Sequence, residues 1–206
     1  MNVWIKSVFR ASGSPPENPD AISVFGKPSV IVTEDLILRP VSMRDAADIF
    51  HYASDPDVAR YVLWEPHRSI SDTRSFIRYL LSLYRRGLPS SWAVEHKKDG
   101  IVIGTIGFMG YTYIHHAAEI GYSFSRTYWN RGYATQALSA VIRTSFSAIT
   151  DLNRIEAQHD TRNPASGRVM VKCGMRPEGI LRGRLFNKGE FVDVVLYSIL
   201  RSDLFT

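Results

Sequence analysis

From Leu36 to Val41 (LILRPV) apolar and polar positions alternate with the two-residue period of a half-buried strand, and Pro40 stops it. The period then lengthens to that of a helix. Ser42 and Asp45 stand where a capping pair belongs, for a helix to about Tyr52 with Ala46, Ile49 and Phe50 inward. Asp55-Pro56 predicts a short second helix near Val58 to Tyr61, because an aspartate cap followed by proline suits a first turn, where an N–H has no partner anyway. After the loop Trp64-Glu65-Pro66, Ser71 and Asp72 open a longer helix that ends at Gly87, with Phe76, Ile77, Leu80, Leu81 and Tyr84 on one face.

Strand spacing then returns. Ser91–His96 (SWAVEH), the turn Lys98-Asp99-Gly100 and the long β-rich run Ile101–Tyr113 predict a hairpin, and Ala118–Phe124 a further strand. Gly104, Gly107 and Gly110 in the long strand point to bulges or a close chain approach, or are only weak spots at a sheet bend. A helix from Gly132 to about Ile149 and a strand from Asn153 to Asp160 follow. Asn163-Pro164 opens a short helix through Cys173, closed by Gly174, and two strands between Arg176 and Leu200 join at Asn187-Lys188-Gly189-Glu190, where Gly189 offers φ > 0. The order β-α-α-α-β-β-β-α-β-α-β-β predicts a mixed, mostly antiparallel sheet of the α/β or α+β class. Residues 1–33, with the turn-rich SGSPPENPD (Ser12–Asp20), read as an extension and linker, either free or partly ordered by packing on the main domain, and 34–206 as one domain.

Composition narrows the function classes. With 206 residues, 45% hydrophobic and 22% charged, the chain has the balance of a soluble globular protein rather than a disordered or membrane one. Cys173 is the single cysteine, so an internal disulfide is excluded and a reducing compartment fits. MNVWIKSVFR lacks a continuous apolar core of secretory length, which makes the cytoplasm the expected location and gives no membrane partner. The formal charge of +5 favours anionic partners. Arg78–Arg86 (RYLLSLYRR) nonetheless places its apolar residues at helical spacing, so it reads as an amphipathic helix and nucleic acid is not the expected partner.

The chemistry concentrates in Ala118–Ala140 (AEIGYSFSRTYWNRGYATQALSA). An apolar strand runs into a short connection, and Arg131-Gly132-Tyr133-Ala134-Thr135 opens a helix whose first N–H groups and dipole favour an anion. Neither the nucleoside-triphosphate loop nor the dinucleotide glycine fingerprint is present, since Gly132 stands alone. Taken by itself the stretch is either a pyrophosphate seat bordered by Asn130 and Arg131 or an ordinary strand-to-helix turn.

Several linked segments resolve that choice. The glycines of the long strand, AEIGYSFS, YWNRGYATQAL, NPASGRVMVKCGM and the terminal DVVLYSILRSD occur in an order that resembles the GCN5-related N-acetyltransferases, most closely the branch that acetylates the N-termini of ribosomal proteins. The resemblance covers about Thr33 to Asp203 and implies that family's fold, with a splay between the strands 118–124 and 153–160. It implies acetyl-CoA as cosubstrate, with its pantetheine arm along Tyr122, Ser123, Phe124 and Ser125 and its pyrophosphate on Trp129, Asn130, Arg131, Gly132, Tyr133, Ala134 and Thr135. Trp129 departs from the commoner pattern, which has Gln or Arg three residues before the glycine. Asn163 matches an asparagine that reaches the pantetheine arm, and Ser166 a serine near the thioester sulfur.

Acyl transfer to an amine needs a proton acceptor, donors for the oxyanion and a proton for the departing thiolate. Glu119 is the candidate base, its alternative being a solvated or ion-paired strand residue. Backbone N–H groups near Tyr122–Phe124 would serve the oxyanion. Ser166 is the first candidate thiolate donor, ahead of Tyr122 and Tyr197, though a serine there would equally cap a helix. His115-His116 and the other candidates lack zinc spacing, so no metal is expected, and Cys173 reads as packing. Trp64 belongs to a loop that covers the acceptor site in similar chains. The acceptor is a protein N-terminal or small amine, with a catalytically silent acyl-CoA-binding or RNA-associated module as the alternative. The long third strand and the terminal hairpin are compatible with a homodimer.

Overall fold

The alternation at Leu36–Pro40 does make a strand, with Leu36 and Leu38 fully buried and Ile37 and Arg39 partly open. In the computed structural model, which describes residues 18–204, it is the second strand of an eight-stranded sheet. The strands are β1 (Ile31–Val32), β2 (Leu36–Pro40), β3 (Ser91–His96), β4 (Ile101–Thr112), β5 (Ala117–Phe124), β6 (Arg154–Asp160), β7 (Arg176–Asn187) and β8 (Glu190–Leu200), in the spatial order β1-β2-β3-β4-β5-β6-β8-β7. All neighbours are antiparallel except β5 and β6. That parallel pair is joined by a crossover through the helix at Tyr133–Ala148, as parallel neighbours require.

The helices are α1 (Pro19–Gly26), α2 (Ala46–Ala53), α3 (Pro56–Ala59), α4 (Ile70–Arg85), α5 (Tyr133–Ala148) and α6 (Pro164–Lys172). They divide between two apolar clusters. One gathers α1, α5 and α6 on Leu36, Leu38, Ile106, Phe108, Ile120 and Phe124, and the other gathers α2, α3 and α4 on Val41, Ala93 and Val102. The predicted mixed, mostly antiparallel sheet is therefore the observed architecture, with its helices packed in two clusters.

Three refinements of the sequence reading have local causes. Residues 18–32 take the ordered, packed form of the extension, because Asn18 accepts from the N–H groups of Asp20 and Ala21 and caps a helix whose Ala21 and Phe25 enter the core. Burying a phenylalanine contributes ~1.5–3 kcal/mol, enough to dock so short a helix. Residues 1–17 lie outside the described part of the chain. The long helix α4 is capped by Ser69 and starts at Ile70 rather than Ser71, since Ser69 and Asp72 form a reciprocal capping box. In α2 the inward face is Ala46, Ile49, Tyr52 and Ala53, and Phe50 is only half-buried.

The strand glycines separate into two kinds. A Cβ at Gly104 would meet Ser123 O at 2.5 Å, and one at Gly107 would meet Ser90 O and Ser91 Cα at 2.3 Å, so both mark close chain approach. Gly110 faces open space beside the register shift between Phe108 and Gly110. At the tip of the β7–β8 hairpin, Lys188 joins Gly189 at positive φ (50° and 90°) in a two-residue turn. Lys188 Nζ holds that conformation by donating to Ala59 O at 2.6 Å and Val62 O at 2.8 Å.

Candidate active site

Strands β5 and β6 pair only over Ala117↔Arg154, Ala118↔Ile155 and Glu119↔Glu156, and beyond that rung they part. The opening lies at the C-terminal end of a parallel pair, where α/β sheets place their ligands. A cavity of about 200 Å³ passes through it, reached from the α2–α4 side by Ile49, Tyr52, Trp64, Phe76 and Tyr79 and from the α6 side by Asn163, Ser166 and Met170.

Alternation along β5 sends its side chains to opposite sides of this opening. Ala118, Ile120 and Phe124 enter the cluster under α5 and α6, and Tyr122 packs against it. Glu119, Gly121 and Ser123 face the other way. Ser123 lines the cleft with Tyr52, and a Cβ at Gly121 would meet Met109 of the α2–α4 cluster at 3.0 Å. Glu119 lines the cleft and accepts from Gln158 Nε2 at 2.7 Å. It is thus a half-buried residue within the cleft, held by Gln158.

Tyr122 and Ser166 meet on the α6 side. The Tyr122 hydroxyl donates to Ser166 O at 3.0 Å and lies 2.9 Å from Ser166 Oγ, so the serine hydroxyl is left to donate to the phenol oxygen. Burial pushes the Tyr122 phenol well above its ordinary range, against the lowering effect of the serine, and it keeps its proton. Tyr52, beside Ser123, is likewise raised by burial.

The turn after β5 is arranged by unusual backbone angles. Asn130 and Gly132 both have positive φ (59° and 86°), and Gly132 is the N-cap of α5 without a side-chain cap bond. The first-turn N–H groups of this 16-residue helix, from Tyr133 to Thr135, therefore point outward uncapped. A Cβ at Gly132 would meet nothing within 4 Å, so the glycine answers to its left-handed φ and to the space in front of it. These features suit an anionic group laid on backbone amides.

Neighbouring side chains fix the turn. Trp129 Nε1 donates to Phe124 O at 2.8 Å, so the tryptophan folds back on the end of β5, and Arg131 lies 5.5 Å over the Tyr128 ring. Tyr133 and Tyr128 enclose buried His96, whose Nε2 lies 3.0 Å from the Tyr133 hydroxyl and whose Nδ1 lies 2.8 Å from Asp99. Ser125 N–H is committed to Ile103 O at 2.7 Å, so by alternation Ser123 also turns its backbone to β4, while Tyr122 and Phe124 turn theirs to the open edge, the Phe124 carbonyl being taken by Trp129. Ala134 and Thr135 are half-buried, and Thr135 O accepts from Cys173 Sγ at 3.4 Å. Burial raises the thiol, in keeping with packing. Asn163 caps α6 by position only, its side chain making no cap bond and lining the cleft.

Several polar residues of the cleft escaped the sequence reading, among them Gln158, Asp160 and His159. His159 on β6 is 8% exposed, its Nδ1 donates to Asp160 O at 2.8 Å, and its Nε2 has no hydrogen-bond partner among the described residues. It lies against Tyr197 and beneath Gly167, where a Cβ would come within 2.6 Å of Nε2. No local signal marks it, because Gly167, Tyr197 and His159 come together only in the fold. Tyr197 itself packs by the Tyr122 cluster and does not line the cleft.

Residues 35–176 match the acetyltransferase (GNAT) domain family. An uncharacterized N-acetyltransferase YoaA of Bacillus subtilis is 36% identical over 172 residues, 84% of this chain and 97% of that protein. The ribosomal protein uS5 alanine N-acetyltransferase of Escherichia coli is 26% identical, covering 84% of this chain and 91% of its own. Among solved structures, Mycobacterium smegmatis RimJ in complex with CoA-disulfide superposes with a TM-score of 0.77 at 26% identity, over 87% of this chain and 90% of that one. With the splayed parallel pair and the uncapped helix beside it, these likenesses establish that the chain belongs to the GNAT acetyltransferase family.

Proposed function

We propose that the protein transfers the acetyl group of acetyl-CoA to a primary amine by direct attack within a ternary complex. The observation that carries this reading is the splay beyond Glu119↔Glu156, which gives one cleft two faces, the uncapped helix α5 beside it and a carboxylate within it. The pyrophosphate is held by the amides of Asn130–Thr135, the pantetheine arm by the edge of β5 at Tyr122–Phe124 and by Asn163. The acceptor, a protein N-terminus or a small amine, enters from the α2–α4 side.

Proton traffic follows from the two faces. Glu119 takes the proton that the attacking nitrogen must lose, and Gln158 keeps its carboxylate turned into the cleft. A β5 N–H stabilises the oxyanion of the tetrahedral intermediate. As the carbon–sulfur bond breaks, the Ser166 hydroxyl, positioned by Tyr122, turns its proton from the phenol oxygen to the departing thiolate, while Tyr122 stays bonded to Ser166 O. The bonded pair also explains the short distance between two side chains 44 residues apart.

The test is release of free thiol from acetyl-CoA with a panel of amines and peptides, alongside calorimetric binding of acetyl-CoA. Turnover on at least one amine, abolished or strongly reduced in Glu119→Gln, is the expected result. Tight binding of acetyl-CoA with no thiol released from any acceptor would instead make the chain a silent binding module.

A further inference from the structure

We infer that the acceptor is a small monoamine carried on an aromatic or comparably apolar body, an inference that rests on the acetyl-transfer reading above. On the acceptor side the cleft is walled by Ile49, Trp64, Phe76, Tyr79, Met109 and Leu185, contributed by α2, the loop after α3, α4, β4 and β7. No lysine or arginine lines it among the described residues, and its carboxylates are Glu119 and Asp160. Asp160 is already matched, taking three hydrogen bonds from Arg162 at 2.6–2.9 Å. His67, in the same wall, has its pKa lowered by burial, against the opposing pull of Asp72, and is bonded to Thr73 at 2.7 Å. The wall thus offers one carboxylate for one ammonium, with aromatic surface around it.

That arrangement discriminates against the other common acceptors. A polyamine would bring a second ammonium against Trp64, Phe76 and Leu185, where desolvating an unpaired charge is costly. A carboxylate or phosphate on the acceptor would find no cation in the lining. An extended peptide would present more backbone N–H and C=O groups than the polar tips of Trp64, His67 and Tyr79 can pair, and the rest would lie against Ile49, Phe76, Met109 and Leu185, which cannot hydrogen-bond them. An arylalkylamine loses nothing by burial of its body and gains contact with rings: Trp64 and His67 stand 5.8 Å apart and His67 and Phe76 6.0 Å apart, an aromatic row along the wall.

The experiment compares kcat/KM for phenethylamine, spermidine and alanine- or serine-initiated pentapeptides, using the full chain with acetyl-CoA and reading free thiol. Phenethylamine should exceed both other classes by about tenfold or more, the range an apolar pocket can supply. Trp64→Ala should raise KM for phenethylamine about tenfold with KM for acetyl-CoA unchanged. The wild-type ranking stands as a test whether or not that variant folds. Preference for spermidine or a peptide, or an unchanged phenethylamine KM in a folded Trp64→Ala, would overturn the inference while leaving acetyl transfer intact. No thiol from any amine, by protein that binds acetyl-CoA in calorimetry, would overturn the acetyl-transfer reading beneath it.

Discussion

Glu119 and Gln158 face each other at the point where β5 and β6 part, with Gln158 Nε2 donating to Glu119 Oε1 at 2.7 Å. The carboxylate stands on the last paired rung and the amide just past it, so the bond bridges the mouth of the splay. An amide donor stabilises the ionised carboxylate and orients it without neutralising it.

Replacing Glu119 with glutamine keeps the shape and removes the proton acceptor. The expected loss in kcat/KM is ~10²-fold or more, with acetyl-CoA affinity unchanged. A pH–rate profile checks the role: the limb that depends on Glu119 ionisation should vanish, and a profile of wild-type shape would show that the proton leaves by another route.

Tyr122 and Ser166 should act as a unit. Tyr122→Phe removes the donor to Ser166 O and the acceptor for Ser166 Oγ together, so adding Ser166→Ala to it should cost little more. The double-mutant cycle on kcat should show a coupling of about 1 kcal/mol. Additive effects would mean that the two hydroxyls serve the reaction separately.

Gly132 carries φ 86° in open surroundings, so alanine there is penalised by backbone conformation and not by a neighbour. Gly132→Ala should cost ~1–2 kcal/mol of stability, and acetyl-CoA affinity should fall as the turn shifts its amides. Thermal melts and calorimetry on the same samples separate the two effects.

How legible these features are depends on how local their causes are. Asp55-Pro56, Ser42 with Asp45, and Gly174 after Cys173 announce helix ends because a cap involves residues two or three apart, and each lies at a helix boundary in the structure. Asn18-Pro19 carries the same cap signal, yet the proline- and serine-rich residues before it make the segment read as linker. Its helix is held by Phe25 against Phe108 and Tyr111, contacts more than 80 residues away. The turn at Asn130–Thr135 could be read because strand, glycine and helix are consecutive. The bond between Glu119 and Gln158, the Tyr122–Ser166 pair and the aromatic wall from Trp64 to Phe76 depend on which strand lies beside which, and alternation alone does not say that β5 and β6 stop pairing at Glu119.

His159 and Gly167 illustrate the same point with a measurable consequence. A methyl group at Gly167 would lie 2.6 Å from His159 Nε2 and 3.0 Å from the Tyr197 hydroxyl, and His159 is too buried to swing aside. Gly167→Ala should therefore destabilise the protein by ~1–3 kcal/mol. Adding His159→Ala should return part of that loss, because the clash disappears with the imidazole. A double variant no more stable than Gly167→Ala would place the conflict with Tyr197 instead.

The acid dependence of stability should be traceable in part to Asp160. Its carboxylate is 4% exposed; burial alone would raise its pKa, but the hydrogen bonds and charge of Arg162 outweigh that and lower it below its ordinary 3.8. The sign follows from linkage. A carboxylate whose pKa is lower in the folded chain than in the unfolded one stabilises the fold fully above its unfolded pKa, and that contribution is lost as pH falls through the folded value. Asp160→Asn removes a partner that Arg162 holds through both oxygens, and should lower stability near neutrality by on the order of 2 kcal/mol. Asparagine cannot titrate, so the gap between wild type and variant should be constant above about pH 5 and shrink below about pH 4. Denaturant unfolding from pH 7 to pH 3 measures it, and a gap that stayed constant into acid would mean that the Arg162 bonds stabilise Asp160 equally in both protonation states. Because the Asp160 carboxylate also accepts from the backbone N–H of Arg162 at 2.9 Å, the same variant should loosen the turn that leads into Asn163 and with it the placement of Asn163 and Ser166. Activity should then fall with pH more steeply in the wild type than its global unfolding alone predicts, since the segment that carries Ser166 is tied to the group that titrates.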